Sequence, residues 1–262
     1  MNPFTDLAVD LGTKNIRIVS SSNEIIINEP SLVAMKNTQV VAVGKAIELL
    51  SEDERVDIEI YSPILDGTIA DIPSAKLLIQ HFIKKAMSKY NLMKPKIVVA
   101  IPYGITKTQK IIIKEVFLQN GARKCFLIEQ PMASALGSDI DIKSTDSNLV
   151  VDIGVSSARI YLISLGGLVL CKTISKDNFL IGLKEVMQKM NTKDKDDIKK
   201  NGIILTGGGA LQQNITSEIE NELYISVKIT NNPEHTVILG CREILKEINL
   251  LDKLFIEENK WV

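Results

Sequence analysis

Two copies of one short pattern carry the residues of this chain that are best suited to chemistry. They run from Asp10 to Ile18 and from Asp152 to Ile160, and in each an apolar strand leads into Asp-apolar-Gly, a turn and a second strand. An arginine follows at the same spacing in both, as Arg17 and Arg159. Glycine lets backbone N–H groups approach phosphate oxygens, and Asp10 and Asp152 are each suited to holding Mg²⁺ through water. The repeat predicts a metal-bound polyphosphate, although each turn alone is more often a plain β-hairpin.

Other candidate binding residues lie in turns that follow strands. The two hairpin turns would offer backbone groups to phosphate from Gly12, Thr13, Lys14 and Asn15, and from Gly154, Val155 and Ser156. A strand also leads into a glycine-rich turn, which predicts close approach to a base or ribose or else a simple tight turn; this turn is Gly207, Gly208, Gly209 and Ala210. Gln130 follows a further strand, where α/β sheets bind ligands, and a helix-entry turn explains it equally well.

The composition is that of an ordinary globular protein. The 262 residues suffice for two domains, 45% of them are hydrophobic and 24% are charged. The formal net charge of −1 disfavours a general nucleic-acid binder, so no nucleic-acid partner is expected. The cysteines and histidines are scattered and predict reduced thiols in a cytoplasmic protein rather than a metal site. The first residues lack a basic start and a long apolar stretch, so we expect no secretory signal.

Strands and helices alternate in two rounds, each of which begins with a strand hairpin. Apolar spacing and capping residues predict helices at Pro73 to Lys89, Thr106 to Asn120, Pro131 to Leu136 and Val237 to about Phe255. The repetition predicts two α/β half-domains with a ligand in the cleft between them. The first would span residues 1–146, with a small lobe inserted at roughly 31–66. The second would span residues 147–262, with its final helix packing back toward the first.

Taken in order, these segments resemble a bacterial actin of the MreB type over most of the chain. The matching segments are Asp10 to Thr13, Asn28 to Ser31, Asp66 to Asp71, Ile101 to Thr106, Gly121 to Arg123, Leu127 to Ala133, Ile163 to Gly167 and Leu205 to Leu211. The resemblance implies an α/β actin-like ATPase fold built from duplicated ribonuclease-H-like half-domains. It also implies ATP and Mg²⁺ as cofactors, Gln130 and Asp152 at the catalytic positions, and membrane-associated filaments that guide cell-wall synthesis and cell shape.

Three departures from the family pattern weaken the predicted ATPase. The family's second phosphate loop reads Asp-Ile-Gly-Gly-Gly-Thr-Thr, whereas Val155 and Ser156 stand at two of those glycines here. Side chains at these positions obstruct the approach of backbone to phosphate. The family's Gly-Gly-Asp turn is replaced by Lys176 to Asn178. Gln130 matches the catalytic glutamate of the family, and an amide can orient a water but cannot act as a base.

The largest departure is a missing segment. Between Met187 and Ile198 the family has a whole lobe that covers the adenosine, and this chain has only a charged connection, Asn191 to Lys200. The fold is therefore expected to be reduced to three subdomains. A nucleotide without that cover would be more exposed to water, which weakens electrostatic contacts. We predict weak ATP binding at most and weak or absent hydrolysis.

Two short apolar segments are candidate membrane contacts. Met1 to Phe4 is one, and Tyr90 to Met93 between two lysines matches a loop that family members insert into the bilayer. The side chains expected to insert are Phe4, Leu92 and Met93. An ordinary helix–strand connection is the simpler explanation of the second segment. The predicted location is the cytoplasm, with the inner face of the membrane as a further location if these segments bind lipid.

The function predicted from these features is that of an MreB-like cytoskeletal protein that acts in cell shape and wall-synthesis guidance. Its partners would be copies of itself or a full-length MreB-type protein. Two alternatives remain open from the sequence. One is a pseudo-ATPase regulator that binds full-length MreB filaments, and the other is a chaperone-like or reactivating ATPase of the EutJ kind.

Overall fold

The computed structural model describes residues 6–20, 25–87 and 94–247, except for the side chain of Ile26. The chain divides into two compact units: one contains the chain up to Glu129 and from Cys241 onward, and the other contains Gln130–Gly240. The predicted boundary between residues 146 and 147 stays a prediction. Each unit is built on one five-stranded sheet, and the two sheets share the same order of strand directions.

The first unit begins with the predicted hairpin, β1 and β2. Its sheet contains β1 (Leu7–Leu11), β2 (Asn15–Ser20), β3 (Ile25–Pro30), β9 (Lys96–Ile101) and β10 (Lys124–Glu129), in the order β10-β9-β1-β2-β3. β1 pairs antiparallel with β2 and parallel with β9. All residues of β1 and β9 are buried, as expected for central strands that are covered on both faces.

Two helices cover one face of this sheet. α1 (Ile72–Met87) turns a helically spaced apolar stripe inward, whose members include Leu78, Phe82 and Ala86. α2 (Lys107–Gln119) begins at the predicted cap: the Thr106 hydroxyl accepts from the N–H of Gln109, whose side chain accepts in turn from the N–H of Thr106. The predicted start of α1 is confirmed to within one residue, and its predicted last residues lie outside the described part of the chain.

A small three-stranded sheet follows β3 in the chain. Its strands are β4 (Val33–Lys36), β5 (Gln39–Val43) and β6 (Ile58–Tyr61), in the order β5-β4-β6, and the short pair β7 (Ile64–Leu65) and β8 (Thr68–Ile69) leads on to α1. Strand β6 was not predicted from the sequence. The alternation of apolar and polar residues in β6 is weak because both faces of the strand are partly exposed.

A buried carboxylate joins this region to α1. Glu29 is 6% exposed, and it accepts from the Lys85 ammonium at 2.5 Å and from the Lys45 N–H at 3.2 Å. Burial is the largest single influence on its pKa and raises it. The hydrogen bonds from Lys85 and Lys45, together with their positive charges, outweigh burial and hold the pKa of Glu29 below its ordinary value.

The second unit repeats the sheet of the first. Its strands are β11 (Asn148–Ile153), β12 (Ser157–Ser164), β13 (Gly167–Ser175), β14 (Ile203–Thr206) and β15 (Val227–Ile229), in the order β13-β12-β11-β14-β15. β11 is antiparallel to β12 and parallel to β14, as β1 is to β2 and β9. The helices are α3 (Gln130–Gly137), α4 (Phe179–Lys189), α5 (Thr192–Asn201), α6 (Ile215–Leu223) and α7 (Thr236–Lys246), which carries the chain back to the first unit.

Helix α5 replaces the charged connection that the sequence predicted. It follows α4 after two residues, and it was missed because Ile198 is its only apolar residue, so no helical spacing of apolar residues marks it. A polar network holds it instead. The Asn191 side chain caps its first turn, and buried Asp194 accepts from the Ser147 hydroxyl at 2.6 Å and from the Asn191 amide at 2.8 Å. No additional lobe is inserted between α4 and α5.

Candidate functional site

The first hairpin turn is held in a fixed shape by contacts from outside the hairpin. A Cβ on Gly12 would lie 2.5 Å from the carbonyl oxygen of Asn15, so only glycine fits this turn. Buried Ser31 donates from its hydroxyl to the Gly12 oxygen at 2.7 Å and from its N–H to the Lys14 oxygen at 3.0 Å. The side chains of Thr13 and Lys14 are exposed at the tip. The predicted phosphate loop is therefore a preorganised turn with an accessible tip.

Two further hydrogen bonds anchor the same turn. The hydroxyl of Thr13 accepts from the N–H of Asp66 at 2.9 Å, and the amide of Asn15 donates to the side-chain oxygen of Asn28 at 3.0 Å. Asp66 adopts a positive φ of 48°, which the tight turn after β7 requires. Loop segments distant in sequence thus fix the backbone of the turn.

Asp10 lies at the end of β1, beside this turn, and faces an arginine. It is directly opposite Arg17 in the strand register, and one carboxylate oxygen is 3.6 Å from Arg17 Nη1. Both side chains are largely buried. A buried charge is tolerated when it is paired, so the equal spacing seen in the sequence corresponds to an ion pair across the hairpin.

The second hairpin has an exposed tip like the first, but with different side chains. The N–H of Gly154 donates to the Ser157 oxygen at 2.9 Å and closes the turn. Val155 is 72% exposed and Ser156 is also exposed, so two side chains stand at the position where the first turn presents Thr13 and Lys14. Because the Val155 side chain is exposed, core packing does not explain a valine at this position. A β-branched residue also restricts the part of the chain that would face a phosphate.

Asp152 occupies in the second unit the place that Asp10 has in the first. It is opposite Arg159 in the register, and the two groups are 4.0 Å apart. The Arg159 guanidinium also lies near the hydroxyl of Tyr161, without a well-aligned hydrogen bond between them. Burial, followed by the negative charge of Asp152, raises the pKa of Tyr161 well above its ordinary value. Tyr161 is therefore a neutral hydroxyl beside the ion pair.

The glycine-rich turn after β14 packs directly on the end of β11. Gly207 has φ 82° and ψ 164°, and a Cβ on it would overlap the Asp152 carboxylate and the Ile153 oxygen. A Cβ on Gly209 would overlap the side chain of Ile153. Gly208 faces the carboxylate of Glu234, and Ala210 is buried in the core of the unit. The structure thus brings together Asp152 and the glycines that the sequence singled out.

Gln130 is the first residue of α3 and is 5% exposed. Its side-chain Oε1 is buried and has no hydrogen-bond partner in the structure. Because a buried carbonyl oxygen normally accepts a hydrogen bond, this atom is suited to accept one from a water. A water-orienting role, as predicted for this residue, is chemically compatible with that geometry.

Three predicted membrane residues, Phe4, Leu92 and Met93, lie outside the described residues. Within the described ranges, no helix combines the length and apolarity needed to cross a bilayer. The same ranges contain no group of three or more His, Cys, Asp or Glu side chains arranged to hold a metal ion.

Sequence reasoning missed the residues that support the turns from a distance. Ser31 and Asp66 clamp the first turn, and Glu234 lies against Gly208. Ser31 and Asp66 belong to segments that carried the family resemblance, so the motifs themselves marked the supporting residues. Nothing local in the sequence marks Glu234, because its neighbour Gly208 comes from a different part of the chain.

Comparison with known proteins supports the predicted fold and family. Residues 4–178 and 177–253 match the family model described as MreB/Mbl protein. The cell shape-determining protein Mbl of Bacillus cereus is 28% identical over 325 aligned residues, which cover 95% of this chain and 98% of that protein. Because the alignment is longer than the 262-residue chain, that relative carries segments with no counterpart here.

Solved structures with the same fold confirm the predicted actin-like α/β architecture. The crystal structure of MreB5 of Spiroplasma citri bound to ADP superposes with a TM-score of 0.83 at 22% identity, over 94% of this chain and 97% of that chain. The MamK double helical filament gives a TM-score of 0.75 at 15% identity, over 92% and 98% of the two chains. Together with the family match over nearly the whole sequence, these findings show that the chain belongs to the MreB/Mbl family of actin-like proteins.

Proposed function

We propose that the chain is a cell-shape cytoskeletal protein that binds an adenine nucleotide through the first hairpin and hydrolyses it slowly or not at all. The preorganised turn at Gly12, clamped by Ser31 and Asp66, carries this proposal. Backbone N–H groups in such a turn approach phosphate oxygens without obstruction. The Spiroplasma citri MreB5 with the same fold is bound to ADP, which supports the choice of ligand.

Slow hydrolysis follows from the residues of the second unit. Gln130 has an amide where the family has a carboxylate, so it can hold a water but cannot accept its proton. The second turn presents Val155 and Ser156 instead of glycine backbone. Their side chains restrict the conformations of the turn and the approach of its N–H groups to a transferring phosphoryl group, so that charge on it is stabilised less.

Assembly is the expected outcome of nucleotide binding in this family. The MamK chain with the same fold forms a double helical filament, which supports self-association here. The proposed partners are copies of this chain or a longer MreB-type protein. The proposed location is the cytoplasm, extending to the inner face of the membrane through the residues predicted near Phe4 and Leu92.

Binding and turnover can be tested on the purified 262-residue chain. Calorimetric titration with ADP should show binding, and phosphate release from ATP should stay near the background rate. Gly12→Ala should weaken ADP binding at least about tenfold, or about 1.4 kcal/mol, because a Cβ at that position opens the turn. Gly104→Ala is the control, since a Cβ on Gly104 has no neighbour within 4 Å and its positive φ of 76° adds only a backbone cost.

Two results would contradict the nucleotide part of the proposal, and a third would remove the cytoskeletal role. Equal ADP affinity of wild type and Gly12→Ala would show that the first turn does not bind phosphate. Rapid phosphate release from ATP by the wild type would show that Gln130 and the second turn support catalysis. Electron microscopy of the same samples, with and without nucleotide, should show filaments. If the particles never assemble, either alone or with a longer MreB-type protein, the chain has no cytoskeletal role.

A further inference from the structure

Each hairpin contains a built-in cation beside the carboxylate that was expected to hold magnesium. Asp10 and Arg17 are 3.6 Å apart in the first unit, and Asp152 and Arg159 are 4.0 Å apart in the second. The two pairs occupy the same register position in sheets of the same topology. All four side chains are at least four-fifths buried, so water screens these charges only weakly.

The arginine of the first unit also reaches the phosphate loop. Arg17 Nη1 lies 3.8 Å from the position that a Cβ on Gly12 would take, so the guanidinium is next to both the carboxylate and the turn. Its Nε is buried and has no hydrogen-bond partner in the structure. Arginine carries five N–H donors in a fixed fork that suits phosphate oxygens. Nη1 is the donor placed to meet an anion at the turn, and the unpartnered Nε shows that the hydrogen bonds of the guanidinium are not all made within the protein.

The carboxylate of the second unit is enclosed on two sides. One oxygen of Asp152 lies against Gly207, where even a Cβ would overlap it, and the other faces Arg159. Magnesium requires octahedral coordination and keeps several waters, which need room around the carboxylate. A guanidinium at 4.0 Å both neutralises the carboxylate and repels a divalent cation. These surroundings do not fit a hydrated magnesium ion.

We propose that arginine takes the place of magnesium in this chain, so that it binds the polyphosphate of an adenine nucleotide without a divalent metal. Arg17 donates to the phosphate oxygens at the first turn, and Asp10 holds its guanidinium there. Arg159 neutralises Asp152 in the second unit and leaves no charge there for a metal to bind. This inference rests on the proposed nucleotide binding and adds the source of the positive charge.

The proposal is tested by titrating ADP into the 262-residue chain, once in excess EDTA and once in millimolar MgCl₂. The dissociation constants should agree within about threefold, which is small beside the tenfold that 1.4 kcal/mol represents. An affinity at least tenfold higher with MgCl₂ would overturn the inference and leave the proposed function intact. Absence of ADP binding in both buffers would overturn both.

Variants separate ligand binding from a purely structural ion pair. Arg17→Gln should weaken ADP binding in EDTA at least tenfold, and Arg123→Gln, which removes the same charge from an exposed site in the first unit, should not. Because Arg17→Gln removes the cation beside the buried Asp10 carboxylate, Asp10→Asn with Arg17→Gln provides a neutral version of the pair. If that folded double variant binds ADP in EDTA as tightly as wild type, the arginine has only a structural role and the proposal is wrong.

Discussion

Replacement of Gly207 by alanine should destabilise the second unit strongly. Gly207 has φ 82° and ψ 164°, a region essentially restricted to glycine, and forcing another residue there costs about 1–3 kcal/mol. The new Cβ would overlap the Asp152 carboxylate and the Ile153 oxygen, and it would lie 2.8 Å from the Ile153 carbonyl carbon, inside the 3.4 Å at which ordinary contact begins. Overpacking against rigid atoms costs about 1–3 kcal/mol more.

The two terms together give a loss of about 2–6 kcal/mol in the free energy of unfolding. For a chain of this size each 1 kcal/mol shifts the melting temperature by about 2–4 °C, so a central loss of 4 kcal/mol lowers it by about 8–16 °C. Gly104→Ala is the control, because Gly104 also has a positive φ, 76°, but faces open space. It should show only the backbone cost.

Thermal unfolding followed by circular dichroism, with urea titration at 25 °C, measures both variants. The reasoning is refuted if Gly207→Ala and Gly104→Ala lower stability equally, because contact with Asp152 would then contribute nothing. A stable Gly207→Ala variant with a displaced Asp152 would show instead that the carboxylate can move away from the turn.

Two further predictions concern the buried carboxylates outside the candidate site. The folded-state pKa of Glu29 lies below its ordinary value of 4.5, so the contribution of this carboxylate to stability is present above that pH and is lost as the pH falls through the lowered pKa. The melting temperature of the wild type should therefore fall more steeply below pH 4.5 than that of Glu29→Gln. Parallel curves of melting temperature against pH would contradict this. Asp194→Ala removes the acceptor of the Ser147 and Asn191 hydrogen bonds and should lower the free energy of unfolding, measured by urea titration, by about 2–3 kcal/mol. Replacement of the exposed Asp196 by alanine is the control and should change it by no more than about 0.5 kcal/mol. Similar losses in the two variants would show that the polar network at α5 does not stabilise the protein.

The sequence predicted elements whose apolar residues repeat with a regular period. Helix α1 and both hairpins were readable because burial of one face dictates their spacing. Helix α5 was not, because Asp194 and the Asn191 cap hold it through polar contacts to residues near Ser147. Helix α6 and strand β15 were also missed, since α6 buries only Ile215 and Ile219 and β15 has only three residues. The predicted end of α7 near Phe255 lies outside the described residues.

The candidate site was predictable only in its local parts. The aspartates, turn glycines and the equal Asp-to-Arg spacing are visible in the sequence, and a hairpin places residues of that spacing opposite each other. The approach of Gly207 to Asp152 is not visible, because it depends on the pairing of β14 with β11. The unpartnered oxygen of Gln130 likewise depends on how α3 is buried.

The two-residue link between α4 and α5 has a consequence for engineering this protein. The chain leaves α4 at Met190 and enters α5 at Asn191, so the two helix ends are adjacent, and the polar network of Asn191, Asp194 and Ser147 that anchors α5 uses no residue of α4. A domain whose termini are close together, such as a fluorescent reporter, can therefore be inserted between Met190 and Asn191 while the cap and the sheet stay intact. The link is a natural attachment point for following the protein in a living cell.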